Sequence, residues 1–224
     1  MKNIYLFALI IMTLTVNGQN HFIGIKGGVS LTNFKTTGFL NDENYRTCLA
    51  TGLTYDYTFK KYFSTGLDII YSQRGINQSI SLRDEEGNNM GKAKAKIGYY
   101  YNYITFPLKL GINYGNKIYC FGNIGLIPAI LVDAKFIIPT INFNGNTFPK
   151  MIDNITKKVN SFDIGGFIEI GSGYKFYDRL LVYSSFLFHH SFTSITNQQY
   201  FTEIKIWHYG MTLSLGLKYT LTKG

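Results

Sequence analysis

His189-His190-Ser191 is the group in this chain that comes nearest to a catalytic constellation. A histidine beside a hydroxyl can take its proton and leave the oxygen nucleophilic, provided a third group orients the imidazole. Glu203 is the nearest acidic candidate for that role. The alternative is a polar rim at a strand end, and it is the preferred reading. A larger set of reactive side chains comprises Lys26, Asp56, Asp68, Arg74, Lys109, Asp163, Glu169, Lys175 and Lys218. Each lies in a segment of alternating pattern, on the face that otherwise carries Gly, Ser and Thr. Charges of both signs on one narrow inner face should pair, because an isolated buried ion is very costly. Such a face could line a selective pore or fill a salt-bridged plug; for a narrow cylinder the plug is favoured.

Other chemistries lack support. The 4 His are dispersed without ligand spacing, so no metal site is expected. Gly27-Gly28 and Gly165-Gly166 precede no helix and are not phosphate loops, so no cofactor is expected. Cys48 begins a strand near one end of the predicted fold and Cys120 begins one near the other. Strand rise puts them on the order of 20 Å apart, beyond disulfide reach, so both read as packing residues.

The elements that must position these groups are strands. Met211, Leu213, Leu215, Leu217, Tyr219 and Leu221 alternate with Thr212, Ser214, Gly216, Lys218 and Thr220, a period of two that separates a bulky face from a small one. Segments 22–31, 48–59, 63–74, 104–113 and 162–176 repeat the pattern, with Ile70 and Phe167 as exceptions. The fifth strand is less regular, as is the seventh, where Leu181, Tyr183 and Leu187 oppose Val182, Phe186, Phe188 and Phe192. Three connections are tight, at 60–62, 115–117 and 177–179. Between them lie long polar stretches at about 32–46, 75–97, 132–160 and 193–203, the third with a possible short helix over 151–159.

This arrangement predicts an all-β fold: an eight-stranded antiparallel up-and-down transmembrane β-barrel with short periplasmic turns and long extracellular loops. Aromatics bracket the tight turns (Tyr57, Phe59, Tyr62, Phe63; Tyr114, Tyr119, Phe121; Tyr174, Phe176, Tyr177). A second set, Tyr71, Tyr99, Tyr101, Tyr103, Phe192 and Trp207, lies near the long loops. Aromatic rings with polar tips favour membrane–water boundaries, so two sets imply two interfaces.

Charged residues make up only 16% of the 224, while aromatics reach 17% and mean hydropathy is +0.00, which suits neither a helical membrane protein nor a disordered chain. Lys2, the apolar run Ile4–Leu14 and Val16-Asn17-Gly18 predict a signal peptide over 1–18, leaving 19–224 as the barrel domain. The net charge of +9 is scattered rather than clustered, and export removes nucleic acid as a partner. Lys92, Lys94, Lys96, Lys150, Lys157 and Lys158 sit in long loops and could meet lipopolysaccharide phosphates, or could simply be solvated. Outer-membrane lipid and lipopolysaccharide are therefore the expected partners, other envelope or secretion proteins are possible ones, and the barrel is expected to be a monomer.

Three stretches carry a resemblance: Ile25-Lys26-Gly27-Gly28-Val29-Ser30, Gly66–Gly75, and Tyr103-Ile104-Thr105-Phe106-Pro107-Leu108-Lys109-Leu110-Gly111. On these the chain resembles the small outer-membrane β-barrel family of Bacteroidota, porin-like or PorT-like. Thr105 stands where that family usually has Glu, and Pro107 predicts a local bulge. The resemblance implies outer-membrane location and little about activity. The expected function is non-enzymatic: surface interaction or envelope integrity through the extracellular loops. The alternatives are a small channel or a secretion or transport accessory. A further alternative is a lipid A hydrolase using His189 and Ser191, since some deacylating barrels use a His-x-Ser pair.

Overall fold

Strands can hide their backbone polar groups from hydrocarbon only if the sheet closes on itself. The computed structural model describes residues 20–37, 43–59, 62–83, 89–143, 146–177, 179–197 and 204–221, and their sheet closes. The strands are β1 (Asn20–Thr36), β2 (Glu43–Phe59), β3 (Phe63–Arg83), β4 (Asn89–Thr105), β5 (Leu108–Gly115), β6 (Ile118–Ile138), β7 (Ile141–Phe143), β8 (Asn146–Phe148), β9 (Met151–Asn154), β10 (Phe162–Lys175), β11 (Leu180–Ser191) and β12 (Ile206–Thr220). A 3-10 turn, η1, spans Thr156–Lys158. Every pairing is antiparallel: β1 to β2, β2 to β3, β3 to β4 and β5, these to β6, then β10, β11, β12 and back to β1. With β4 and β5 as one interrupted strand, the ring has eight staves among the described residues.

The outward face is greasy. Leu213, Leu215 and Leu217 are 64%, 67% and 42% exposed, as a lipid-facing position requires and a packed interior would forbid. Their register partners Val29, Gly27 and Ile25 continue the belt on β1. At the short-turn end Phe59 stacks on Phe63 and Tyr62 on Tyr114. The β5–β6 turn depends on Gly115, whose φ of 112° is unfavourable for residues with a Cβ.

Several expectations need correction. Pro107 makes no bulge. Ile70 pairs with Thr105 on its outer side and Leu67 with Leu108 on its short-turn side, so register is kept across the proline. Phe106 N donates to Pro128 O and Asp68 N donates to Pro107 O; the ladder loses only the donor that proline lacks. The bulge lies instead in β6, where Asn102 faces Asp133 but Tyr103 faces Leu131. Tyr101 and Tyr103 do not join an aromatic belt. They share the inward face with Thr105 and are 3% and 0% exposed, and Tyr99 packs beside them. Phe121 is likewise buried inside, with Tyr119 packed against it.

The long polar stretches are largely strand. β3 and β6 each run for 21 residues, about twice what a tilted strand needs to cross a bilayer. Above the membrane the outward face of a strand meets water and need not be apolar, so alternation fades while the ladder continues, with Gln78 opposite the buried Ile97. The segment 151–159 is a strand followed by a 3-10 turn. The upper edge of β6 offers it a ladder, with Ile138 opposite Met151 and Lys135 opposite Asn154.

Candidate functional site

The strand period aims one residue in two at the axis, so side chains from distant segments converge there. Lys26 comes from β1, Asp56 from β2, Asp68 and Arg74 from β3, Lys109 from β5, Asp163 and Glu169 from β10, and Lys218 from β12. Six of them form one chain of charges. Lys218 Nζ lies 2.7 Å from Asp56, which lies 2.6 Å from Lys109; Lys109 lies 2.6 Å from Asp68. Asp68 lies 3.0 Å from Lys26, which reaches Glu169 at 3.3 Å. The Asn123 amide ends the chain by donating to Glu169 at 2.8 Å. Three ammonium groups thus alternate with three carboxylates. Mutual neutralisation at hydrogen-bond distance offsets the several kcal/mol that each buried ion costs.

The remaining pair lies nearer the outer end. Arg74 Nη1 donates to Asp163 at 2.6 Å, and the same carboxylate accepts from Ser191 at 2.7 Å and Thr193 at 2.6 Å. Lys175 is the exception among the nine. It stands exposed at the short-turn mouth, away from the ionic chain.

Apolar layers separate these charges. Phe121, Leu181 and Tyr183 pack at the short-turn end, where the Lys218 ammonium lies 4.2 Å from the Tyr183 ring centre. Ile127, Phe167 and Leu187 form a middle layer. Phe34, Ile76, Tyr101, Tyr103, Leu131 and Ala134 fill the outer end, where Val159 and Ile195 close over them. Four lumen glycines make room for rings: Gly216 opposes Tyr183, Gly171 opposes Phe121, Gly173 opposes Tyr119 and Gly125 opposes Phe167. A Cβ at any of these glycines would strike the opposing ring. Ring-over-glycine packing of this kind restores contact that the missing side chain gives up. Between the two ionic groups lies a void of about 40 Å³ bordered by Lys26, Arg74, His189 and Thr212, room for one water molecule rather than a passage.

The His189–Ser191 pair does share a face, but not a hydrogen bond. Ser191 donates to Asp163 instead, and both residues are buried, at 7% and 1% exposure. Glu203 lies outside the described residues. The arrangement offers a substrate no access to the hydroxyl and gives the imidazole no role in activating it. Cys48 and Cys120 are free thiols, one buried and one exposed.

Sequence reasoning missed the aromatic cage around His208. Phe34, Tyr101 and Tyr103 place their rings 4.8, 5.2 and 5.7 Å from its imidazole. Counting by twos from Thr105 and from Thr212 would have placed Tyr101, Tyr103 and His208 inside. At the outer end, Lys96, Lys150 and Lys157 are exposed, while Lys158 pairs with Asp153 at 3.0 Å. The side chains of Lys92 and Lys94 lie outside the described residues.

A closed antiparallel ring with a greasy exterior, an ion-paired interior and extended outer hairpins defines an outer-membrane β-barrel protein. The family model "Outer membrane protein beta-barrel domain" matches residues 17–197, and the chain belongs to that family. The chain is also similar to solved structures of other proteins. Neisserial surface protein A matches at 8% identity and TM-score 0.47, covering 91% of this chain and 99% of that one. The outer membrane protein OprG of Pseudomonas aeruginosa matches at 14% identity and TM-score 0.47, covering 91% and 97%. The outer membrane protease OmpT of Escherichia coli matches at 11% identity and TM-score 0.46, covering 90% and 97%. At such identities and scores these likenesses assign no activity. No curated protein matches the sequence.

Proposed function

We propose that this barrel is a non-enzymatic, monomeric surface protein that works through its outer end, engaging lipopolysaccharide or other surface partners and contributing to envelope integrity. The observation that carries this reading is the filled lumen. Eight of its charged groups are paired with one another and layered between apolar side chains, so the interior is committed to structure. What the fold leaves available is the outer apparatus: the β3–β4 hairpin, the β9–η1 segment, and exposed Lys96, Lys150 and Lys157. Exposed cations at this end suit the phosphates of lipopolysaccharide, with an attraction that salt screens.

The test is replacement of residues 139–158 by a short Gly-Ser turn in the native host. Lost surface binding and raised detergent sensitivity, at normal barrel abundance in the outer membrane, are the expected results. Unchanged binding and resistance would reject the reading.

A further inference from the structure

The lipid-facing wall is not evenly convex. Near its short-turn end a groove of about 640 Å³ crosses the outer faces of β12, β1 and β2, within the size range of ligand sites. Strand register explains its shape. Ile23 stands between Tyr219 on one side and Tyr55 on the other, and Ile25 stands between Leu217 and Leu53. Strands lie about 4.8 Å apart, so the two tyrosines rise on the order of 10 Å from each other with a shorter side chain between them. The result is a trough along β1. Gly27 continues it on the same face, where an added Cβ would meet only Thr51 Oγ1, at 3.7 Å.

The trough is apolar but its short-turn rim is not. Tyr219 Oη accepts from Arg179 Nη1 at 3.1 Å, and Tyr55 Oη shares a hydrogen bond of 2.8 Å with His21 Nδ1. Arg179 is exposed at this end, one residue before β11. Short turns face the periplasm in barrels of this kind. The guanidinium, the imidazole and both phenols therefore stand at the periplasmic boundary of the bilayer, with the trough leading from them into the hydrocarbon.

We propose that this groove is a binding site for a glycerophospholipid of the periplasmic leaflet. One acyl chain would lie along Ile23, Ile25 and Gly27, and the phosphate would meet Arg179, whose planar donor fork suits phosphate oxygens. The order of the two chemistries selects this class: a cation at the membrane boundary, then a trough pointing away from water. A tail without a phosphate would leave Arg179 unused, and a phosphate without a tail would leave the trough unused. The site is independent of the outer-surface function, since it lies on the wall at the opposite end of the barrel.

The experiment is native mass spectrometry of the full barrel released from detergent after incubation with one of three probes: dioleoyl phosphatidylglycerol, dioleoylglycerol, or tail-free glycerophosphoglycerol. The phospholipid is expected to stay bound one to one, and both partial probes to bind at least about tenfold more weakly. Ile25→Trp fills the trough and Gly27→Leu narrows it further along β1; both alter lipid-facing positions, and folding is checked by heat-modifiable gel mobility. Each should weaken the phospholipid about tenfold, whereas Leu126→Trp, on the exposed face of β6, should not. Arg179→Gln should weaken the phospholipid about tenfold and leave dioleoylglycerol unchanged. No retained phospholipid, full retention by both trough variants, or an equal loss in Leu126→Trp would overturn the site. Equal binding of either partial probe, or full retention by Arg179→Gln, would overturn the ligand class. A lipid-free dimer that Ile25→Trp dissociates would overturn the occupant and give the groove to a second copy of the chain.

Discussion

Arg74 and Asp163, separated by 89 residues in sequence, meet 2.6 Å apart inside the barrel. Arg74 rises from β3 and Asp163 from β10, strands that are not neighbours in the ring. The pair therefore ties opposite walls together, and it does so just beneath the outer apolar layer. The Arg74 guanidinium also lies 4.8 Å from the ring centre of Tyr103, which links the ionic bond to the aromatic packing above it.

Asp163→Asn would leave the Arg74 charge buried beside a neutral amide. Loss of one partner of a buried pair costs about 3–5 kcal/mol. Urea unfolding in lipid vesicles should show a correspondingly lower midpoint. The double variant Arg74→Met/Asp163→Leu removes both charges and should recover part of that loss. A double variant no more stable than Asp163→Asn would show that charge burial is not what the single variant exposes.

Gly216→Ala places a methyl group against the Tyr183 ring. Overpacking of this kind costs about 1–3 kcal/mol, seen as a lower unfolding midpoint and slower vesicle insertion. Gly27→Ala is the control, because a Cβ there points outward and meets only Thr51 Oγ1 at 3.7 Å. It should shift stability by no more than about 0.5 kcal/mol.

The greasy belt sets a depth-dependent prediction. Leu215, 67% exposed and opposite Gly27 at the centre of the β1 belt, faces mid-bilayer. Leu215→Arg should destabilise the barrel by about 2–4 kcal/mol, and Leu221→Arg, near the short-turn rim, by about 0–1 kcal/mol. Equal costs at both positions in vesicle unfolding would contradict the placement of the belt.

For the outer end, Lys150→Glu/Lys157→Glu reverses two exposed charges. Binding to purified lipopolysaccharide, measured by light scattering at low salt, should weaken several-fold, and the difference should vanish near 1 M salt, where screening acts within about 3 Å. Equal binding at low salt would remove these lysines from the recognition surface.

Much of this architecture was legible in the residue pattern. The alternation in β1, β2, β3 and β12 names the correct inward and outward faces, and eight of the nine lumen charges meet partners there. The exceptions to alternation turn out to be informative: Phe167, Leu181, Tyr183 and Leu187 point inward because apolar layers insulate the charges. Tyr101 and Tyr103 misled because a tyrosine suits a membrane boundary as well as a filled lumen, and only strand parity distinguishes the two. The outer ends of β3, β4 and β6 were illegible for another reason. In water the outward face need not be apolar, so hydrogen-bonded strand and loop look alike in composition. Pro107 shows that a missing donor and a shifted register are separate events.

Single-channel recording of the purified protein in planar bilayers tests the filled lumen most directly. Insertion confirmed by heat-modifiable mobility, with a flat current trace over a wide voltage range, is the predicted result. Reproducible conductance steps from the wild-type barrel would mean that ions pass the layers of Phe167, Leu187 and Tyr103, and the account of a sealed interior would be wrong.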